Sequence, residues 1–188
     1  MPANDSLIGK VLRQLSRPPS YGGARGVKDS ILVASAASYG AHSEDDLTQP
    51  TGFDPEVARL FEAIVESAYL VANADGEFDQ TEQQAFEHVV LEACGGRVAE
   101  RQIHALLADL HDQLTEDGLD KRIDMVARSI AREDHGQEVL RVAALLAHVS
   151  GGVSDVERSV LERLAKALGL NASATAAALA EVATALAD

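Results

Sequence analysis

Carboxylates are concentrated in one short stretch of the chain, residues 73–82, which reads NADGEFDQTE. Carboxylate and amide oxygens around a glycine turn are the ligands that hard cations such as Ca²⁺ and Mg²⁺ prefer. Five side chains of this stretch can supply such oxygens: Asn73, Asp75, Glu77, Asp79 and Glu82. The stretch therefore predicts either a divalent-cation loop or an acidic turn that only joins two helices.

The spacing of these oxygens partly matches the calcium loop of an EF-hand. With Gly76 at the sixth loop position, Glu82 takes the twelfth, where the loop carries its glutamate ligand. The first position normally supplies an aspartate, and here it is Val71. The match lacks one anchoring ligand, so the two interpretations stay open at this point.

The elements that must position this turn are predicted to be helices. All five prolines lie at or before Pro55, and the apolar residues after it recur at helical spacing. Asp54 followed by Pro55 indicates a helix start, because Asp caps open N–H groups and proline loses no hydrogen bond there. The predicted helices are 55–73, 79–94, 99–114, 119–132, 139–149, 154–168 and 173–187. No window alternates with period two, so we expect an all-α, compact bundle of about seven helices, with 139–149 buried at its centre.

Two segments of the chain, 68–82 and 143–157, have related sequences. Each reads as an apolar helix, a glycine turn, a cap and an amphipathic helix. The second part of each fits a capping box, in which two side chains satisfy open N–H groups at a helix start. We therefore expect two related helix-turn-helix pairs in the bundle.

The second segment keeps the turn glycine and the cap but not all of the acids. Ser150 and Gly152 stand where the first segment has Asp75 and Glu77. Helix capping therefore explains the carboxylates at the helix start. It does not explain Asp75 and Glu77, which are the candidates for a more specific chemistry.

Charge divides the chain into two parts. The net charge is -14, yet residues 1–30 carry five basic and two acidic groups, a net of +3 that leaves -17 for the rest. We expect residues 1–53 to form a flexible basic arm of helix and linkers, and residues 54–188 to form the helical domain. The acidic excess argues against nucleic acid as a partner, because phosphates would be repelled.

The segment 5–17, DSLIGKVLRQLSR, has the spacing of an amphipathic helix with basic residues beside its apolar face. Such a helix can lie on an anionic membrane surface, dock in the groove of a partner or pack on its own bundle. No apolar run is long enough to cross a bilayer, and nothing resembles a secretory signal. We expect a cytoplasmic protein, with a membrane-peripheral position as the alternative.

Residue patterns typical of catalysis do not occur in the sequence. Cys94 stands in apolar company without a basic neighbour, and no serine elbow or phosphate-cradling glycine loop is present. His104 and His111 are separated by two helical turns, which is too far to chelate one ion readily. We therefore expect a non-enzymatic protein whose one candidate cofactor is a divalent cation at the acidic turn.

The sequence ADGEFDQTE after an alanine-rich apolar helix, followed by ERSVLERLAKALGL at 157–170, resembles the TerB-like family of tellurite-resistance domains. The resemblance covers about 55–170. It implies a helical bundle linked to tellurite resistance and stress response, with a metal-sensing or scaffold role near the membrane. The acidic turn residues of the family would correspond to Asp75, Glu77, Asp79 and Glu82.

The second turn, SGGVS, departs from the family pattern because it lacks the aspartate that many members have. A symmetric two-site metal mechanism is therefore not expected. The resemblance leads to the hypothesis of a module that binds a protein partner, with or without a cation at 73–82. The alternatives are a purely structural interaction domain and a membrane-peripheral adaptor, neither with a metal role.

Overall fold

The computed structural model describes residues 2–18, 29–41, 52–76, 78–130, 132–150 and 152–187. These residues form nine α-helices and a short 3₁₀ turn, with no strand among them. The helices are α1 Pro2–Leu15, α2 Ile31–Gly40, α3 Pro55–Ala72, α4 Gln80–Cys94, α5 Glu100–Asp117, α6 Leu119–Ser129, α7 Glu133–Ala147, α8 Asp155–Ala167 and α9 Ala174–Ala187, and the turn is His148–Ser150. The predicted all-α class is confirmed. The predicted linkers lie mostly at 19–28 and 42–51, outside the described residues.

Local capping signals start the helices on both sides of the acidic turn. The carboxylate of Asp54 accepts hydrogen bonds from the N–H groups of Glu56 and Val57, and α3 begins at Pro55. Both predicted capping boxes form, one at the start of α4 and one at the start of α8. Each box stabilises its helix start by about 1 kcal/mol. The structural equivalence of the two helix pairs stays a prediction.

Helix α7 lies in the middle of the core, as predicted. Every residue from Val139 to Ala147 is buried, and α7 packs against α3, α8 and α9. The helix begins at Glu133, earlier than the predicted residue 139. Its first turn carries Glu133 and Asp134, and negative charges near a helix N-terminus are stabilising.

The N-terminal helices pack into this same core, which corrects the expectation of a flexible arm for the described residues. Val11 and Leu15 of α1 and Leu32 and Ala36 of α2 are fully buried. Helix α1 packs against α4, α7 and α9, while α2 packs mainly on α3. The apolar face of the segment 5–17 is therefore turned toward the bundle, because burying it there removes several aliphatic side chains from water.

A buried ion pair on α7 joins the two N-terminal helices. The Arg141 guanidinium donates hydrogen bonds to the carbonyls of Gln14 and Arg17, at 3.1 and 2.8 Å. The Glu138 carboxylate accepts one from the N–H of Ile31 at 2.8 Å. Glu138 and Arg141 are 8% and 3% exposed, and lie 3.7 Å apart. One pair thus satisfies open carbonyls at the end of α1 and an open N–H at the start of α2.

Replacing Arg141 tests whether this pair fixes α1 and α2. We expect Arg141→Met to lower the free energy of unfolding by about 3–5 kcal/mol, because Glu138 would stay buried without its counter-charge. Urea unfolding followed by circular dichroism measures the change. Arg158→Met, at an exposed position on α8, is the control and should change stability by less than about 0.5 kcal/mol. Equal stability of the two variants would contradict the role given to Arg141.

A second constraint is the close approach of α2 to the connection between α4 and α5. A Cβ atom at Gly40 would lie 1.7 Å from the carbonyl oxygen of Arg97, whereas one at Gly9 would meet nothing within 4 Å. We expect Gly40→Ala to destabilise the protein by about 1–3 kcal/mol through overpacking. Gly9→Ala, inside α1, should stabilise it by about 0.5–1 kcal/mol. Thermal unfolding of both variants checks the opposite signs, and a neutral Gly40→Ala would exclude the tight contact.

Candidate functional site

The acidic turn lies between the end of α3 and the start of α4. Asn73 caps α3: its backbone N–H and its side-chain amide both donate to the carbonyl of Tyr69, at 3.0 and 2.9 Å. Gly76 then reverses the chain with a φ of 76°, a conformation that glycine adopts without strain. The N–H of Gly76 donates to the carbonyl of Asn73 at 3.1 Å. The turn is therefore set by backbone bonds and one amide side chain.

Two of the predicted ligands, Asp79 and Glu82, form the capping box of α4. Asp79 Oδ1 accepts from the N–H of Glu82 at 2.8 Å, and Glu82 Oε2 accepts from the N–H of Asp79 at 3.1 Å. Each carboxylate uses one oxygen in the box, which leaves its second oxygen chemically able to accept another donor or a cation. Asp79 is exposed and Glu82 is half-buried.

The other predicted ligands are placed only in part. Asp75 is exposed within the turn, and Glu77 lies outside the described residues. Among the residues that the structure describes, no three His, Cys, Asp or Glu side chains are grouped to hold a metal ion. Since Glu77 is not among them, the five-residue ligand set stays a prediction.

Val71 occupies the place of the first EF-hand ligand and is fully buried. Its side chain belongs to the hydrophobic core, so the backbone enters the turn from a packed helix. Any cation at this turn would lack the first ligand of an EF-hand, which favours weak binding over tight binding.

Beside the turn lies a groove of about 350 Å³ between α4 and α5. Its lining residues are Tyr69, Phe78, Gln83, Glu87, His104, Leu107, Ala108, His111 and Asp112. The sequence indicates that the two histidines are two helical turns apart, but it does not predict the groove. The sequence feature that could have indicated the groove is the helical spacing of residues 104, 108 and 111–112, which places them on one face of α5. The pairing of that face with α4 and Phe78 depends on tertiary packing.

Aromatic rings form the base of this groove and connect it to the turn. The ring of Phe78 packs edge-on against Tyr69 and Phe86, with centroids 5.7 and 5.9 Å apart. Gln83 Nε2 donates to the carbonyl of Phe78 at 3.1 Å. The half-buried Phe78 is thus fixed both by ring packing and by a side chain of α4.

Polar groups flank the aromatic base. His104 Nδ1 lies 3.6 Å from the carboxylate of Glu87, and His111 Nδ1 lies 3.4 Å from the hydroxyl of Tyr69. Burial raises the pKa of Tyr69 above its ordinary value, which further favours the protonated phenol. The groove can therefore offer one phenol, two imidazoles and the carboxylates of Glu87 and Asp112 to a ligand.

Cys94 lies at the far end of α4 and is fully buried. Burial raises the pKa of its thiol to about 12. Because the thiolate is the nucleophilic form, this cysteine is poorly suited to covalent chemistry at neutral pH.

These observations define an all-α domain with an acidic turn between α3 and α4. The family model described as TerB, tellurite resistance protein TerB, matches residues 61–185. The chain belongs to this family, which confirms the resemblance and extends it through α9. No curated protein and no solved structure shows a significant match to the chain. In the described residues, no helix has both the length and the apolar character needed to cross a membrane.

Variants of Asp79 separate its capping role from its charge. We expect Asp79→Ala to lower the free energy of unfolding by about 1 kcal/mol, because the N–H of Glu82 loses its acceptor. Asp79→Asn keeps an acceptor oxygen at the N-cap and should be destabilised by only a few tenths of that amount. Urea unfolding distinguishes the two variants. The matched control is Ser154→Ala at the second capping box, which should lose about as much as Asp79→Ala. Equal losses for the Ala and Asn variants at position 79 would mean that charge matters more than the cap.

Proposed function

We propose that this chain is a non-enzymatic module of tellurite resistance and stress response that acts in the cytoplasm by binding a protein partner. A divalent cation at residues 73–82 is part of the proposal. Family membership over residues 61–185 supports the link to tellurite resistance. The observation that carries the partner-binding role is the placement of the acidic turn beside an open groove with an aromatic base.

The chemistry of the turn supports the cation. The capping box fixes Asp79 and Glu82 next to each other while using one oxygen of each. Asp75 adds a third carboxylate within the same turn. A hard cation favours such oxygen sets, and fewer charged ligands mean weaker binding. The proposal is therefore of a weak, exchangeable ion rather than a permanent structural one.

Packing supports the non-enzymatic part of the proposal. The thiol of Cys94 is buried. The buried acids Glu66 and Glu138 are each bound to an arginine or a backbone N–H in the core. These groups serve the fold, and the groove beside the turn offers side chains suited to recognition.

The second candidate function is a purely structural interaction domain without an ion. The buried Val71 at the first loop position favours it, as does the full explanation of Asp79 and Glu82 by helix capping. A membrane-peripheral adaptor is less supported, since the apolar face of residues 5–17 packs against the bundle. Lipid binding by that face would require α1 to leave the core and break the bonds from Arg141.

Calorimetry and growth with tellurite test the proposal together. Titration with Ca²⁺, Mg²⁺ and Mn²⁺ should give saturable binding of at least one ion to the wild-type protein. Asp75→Asn should weaken that binding by about tenfold or more, because one charged ligand is lost. A strain without the gene should lose tellurite tolerance, which the wild-type gene restores and the Asp75→Asn gene does not.

The control is Asp124→Asn, which makes the same change at an exposed aspartate of α6. It should bind cations and restore tolerance like the wild type. Indistinguishable heats from Asp75→Asn and the wild type would contradict the cation role. Unchanged tolerance after loss of the gene would contradict the role in tellurite resistance, whatever the calorimetry shows.

A further inference from the structure

The groove between α4 and α5 is bordered by two helices, and one of them lines it over two turns. Its α5 wall runs from His104 to Asp112, eight positions apart and therefore about 12 Å along the helix axis. A groove bordered by two turns of α5 is long enough to accept about two turns of a partner helix.

The base of the groove leaves apolar surface without cover. Phe78 and Leu107 are each half-buried at the groove, and Tyr69 extends the apolar base beneath them. Ala108 is a small residue in the α5 wall, which gives an incoming side chain room to approach. An aliphatic or aromatic anchor placed here would cover the exposed parts of Phe78 and Leu107.

The charge of the two walls is acidic. Glu87 lies on the α4 wall and Asp112 on the α5 wall. None of the described residues that line the groove is Lys or Arg, and the one ion pair there joins Glu87 to the exposed His104. The described lining therefore carries two carboxylates and no Lys or Arg side chain. The chain as a whole carries a net charge of -14, so a cationic segment would be attracted toward this surface.

We infer that the groove between α4 and α5 is the docking site for a basic amphipathic helix of the protein partner. One apolar side chain of that helix packs on Phe78 and Leu107, and Lys or Arg side chains pair with Glu87 and Asp112. The inference rests on the proposed function in one respect, which is that the module acts by binding a protein. It adds the location of the interface and the chemistry of the partner.

The test uses a library of random twelve-residue peptides displayed on phage and selected against the full-length protein. Selected sequences, made as labelled peptides, are measured by fluorescence anisotropy. We expect them to carry an apolar residue and Lys or Arg residues three or four positions apart. Ala108→Arg should weaken their binding by about tenfold or more, because the new side chain fills the groove and repels the peptide.

Ala105→Arg is the matched control, since Ala105 is also exposed on α5 but does not line the groove. It should bind the peptides like the wild type. Circular dichroism and melting verify that both variants fold. The second variant, Glu87→Lys, should also lose binding, and a peptide with Glu in place of its basic residues should recover it. Glu162→Lys, at an exposed position of α8, controls for the change in net charge.

Several results would overturn the inference. Selected peptides that are acidic or lack an apolar anchor would exclude the proposed partner chemistry. Equal binding to the Ala108→Arg and Ala105→Arg variants would place the interface elsewhere. Sedimentation velocity showing a wild-type dimer that Ala108→Arg dissociates would identify a second copy of the chain as the occupant, and the proposed partner would be wrong.

Growth with tellurite separates this inference from the proposed function. Loss of tolerance with Ala108→Arg and Glu87→Lys, while cation binding is unchanged, would support the groove independently of the ion. Peptide binding at the groove in a protein whose loss leaves tolerance unchanged would support the docking site and contradict the tellurite role. Full tolerance with both groove variants would contradict the groove as the interface used in that role.

Discussion

The fold depends on burying residues 138–147 of α7 on all sides, although this part of the helix carries two charged residues, Glu138 and Arg141. Glu138 and Arg141 can lie in the core only because they face each other and the open ends of α1 and α2. An isolated charge at either position would be strongly unfavourable. Because α1 and α2 supply the hydrogen-bond partners of this pair, the central helix and the N-terminal helices must pack together. Burial still raises the pKa of Glu138, and Nε of Arg141 has no hydrogen-bond partner in the described structure, so the arrangement is a compromise between packing and solvation.

A second buried arginine network joins α3, α5 and α6. Arg122 of α6 binds Glu66 of α3 at 2.7 Å through Nε and binds Asp117 of α5 at 3.1 Å through Nη1. The pair Arg122 and Glu66 is nearly buried. Burial is the largest influence on Glu66 and raises its pKa, while the guanidinium opposes this shift. Two arginine-centred networks thus connect helices that are distant in sequence, and they fix the relative positions of helices whose apolar faces alone would permit sliding.

Sequence patterns predicted the local features well, because those features depend on neighbouring residues. Asp54 with Pro55 gave the start of α3, and the two capping boxes gave the starts of α4 and α8. The start of α7 was not predicted, because residues 133–138 are polar or Gly and show no apolar stripe. Gly136 and Glu138 are nevertheless buried there. The flexible arm was wrong for α1 and α2 because these helices pack into the core and bond to Arg141 and Glu138, which are more than a hundred residues away in the sequence. The acidic turn was visible in the sequence, whereas the groove was not, because four separate elements form it.

Phe78 connects the two parts of the candidate site. Its ring borders the groove on one side and a second cavity of about 170 Å³ on the other, where Ala72, Glu82 and Leu146 lie. Its neighbour Asp79 caps α4. A cation that rearranged the carboxylates of the turn would therefore act on the residue that forms the base of the groove. If a cation and a partner helix each favour one position of Phe78, thermodynamic linkage requires that each change the affinity of the other by the same factor. If the proposed ion and the proposed partner both bind, the packing of this one aromatic ring is the physical route by which the two sites would be coupled.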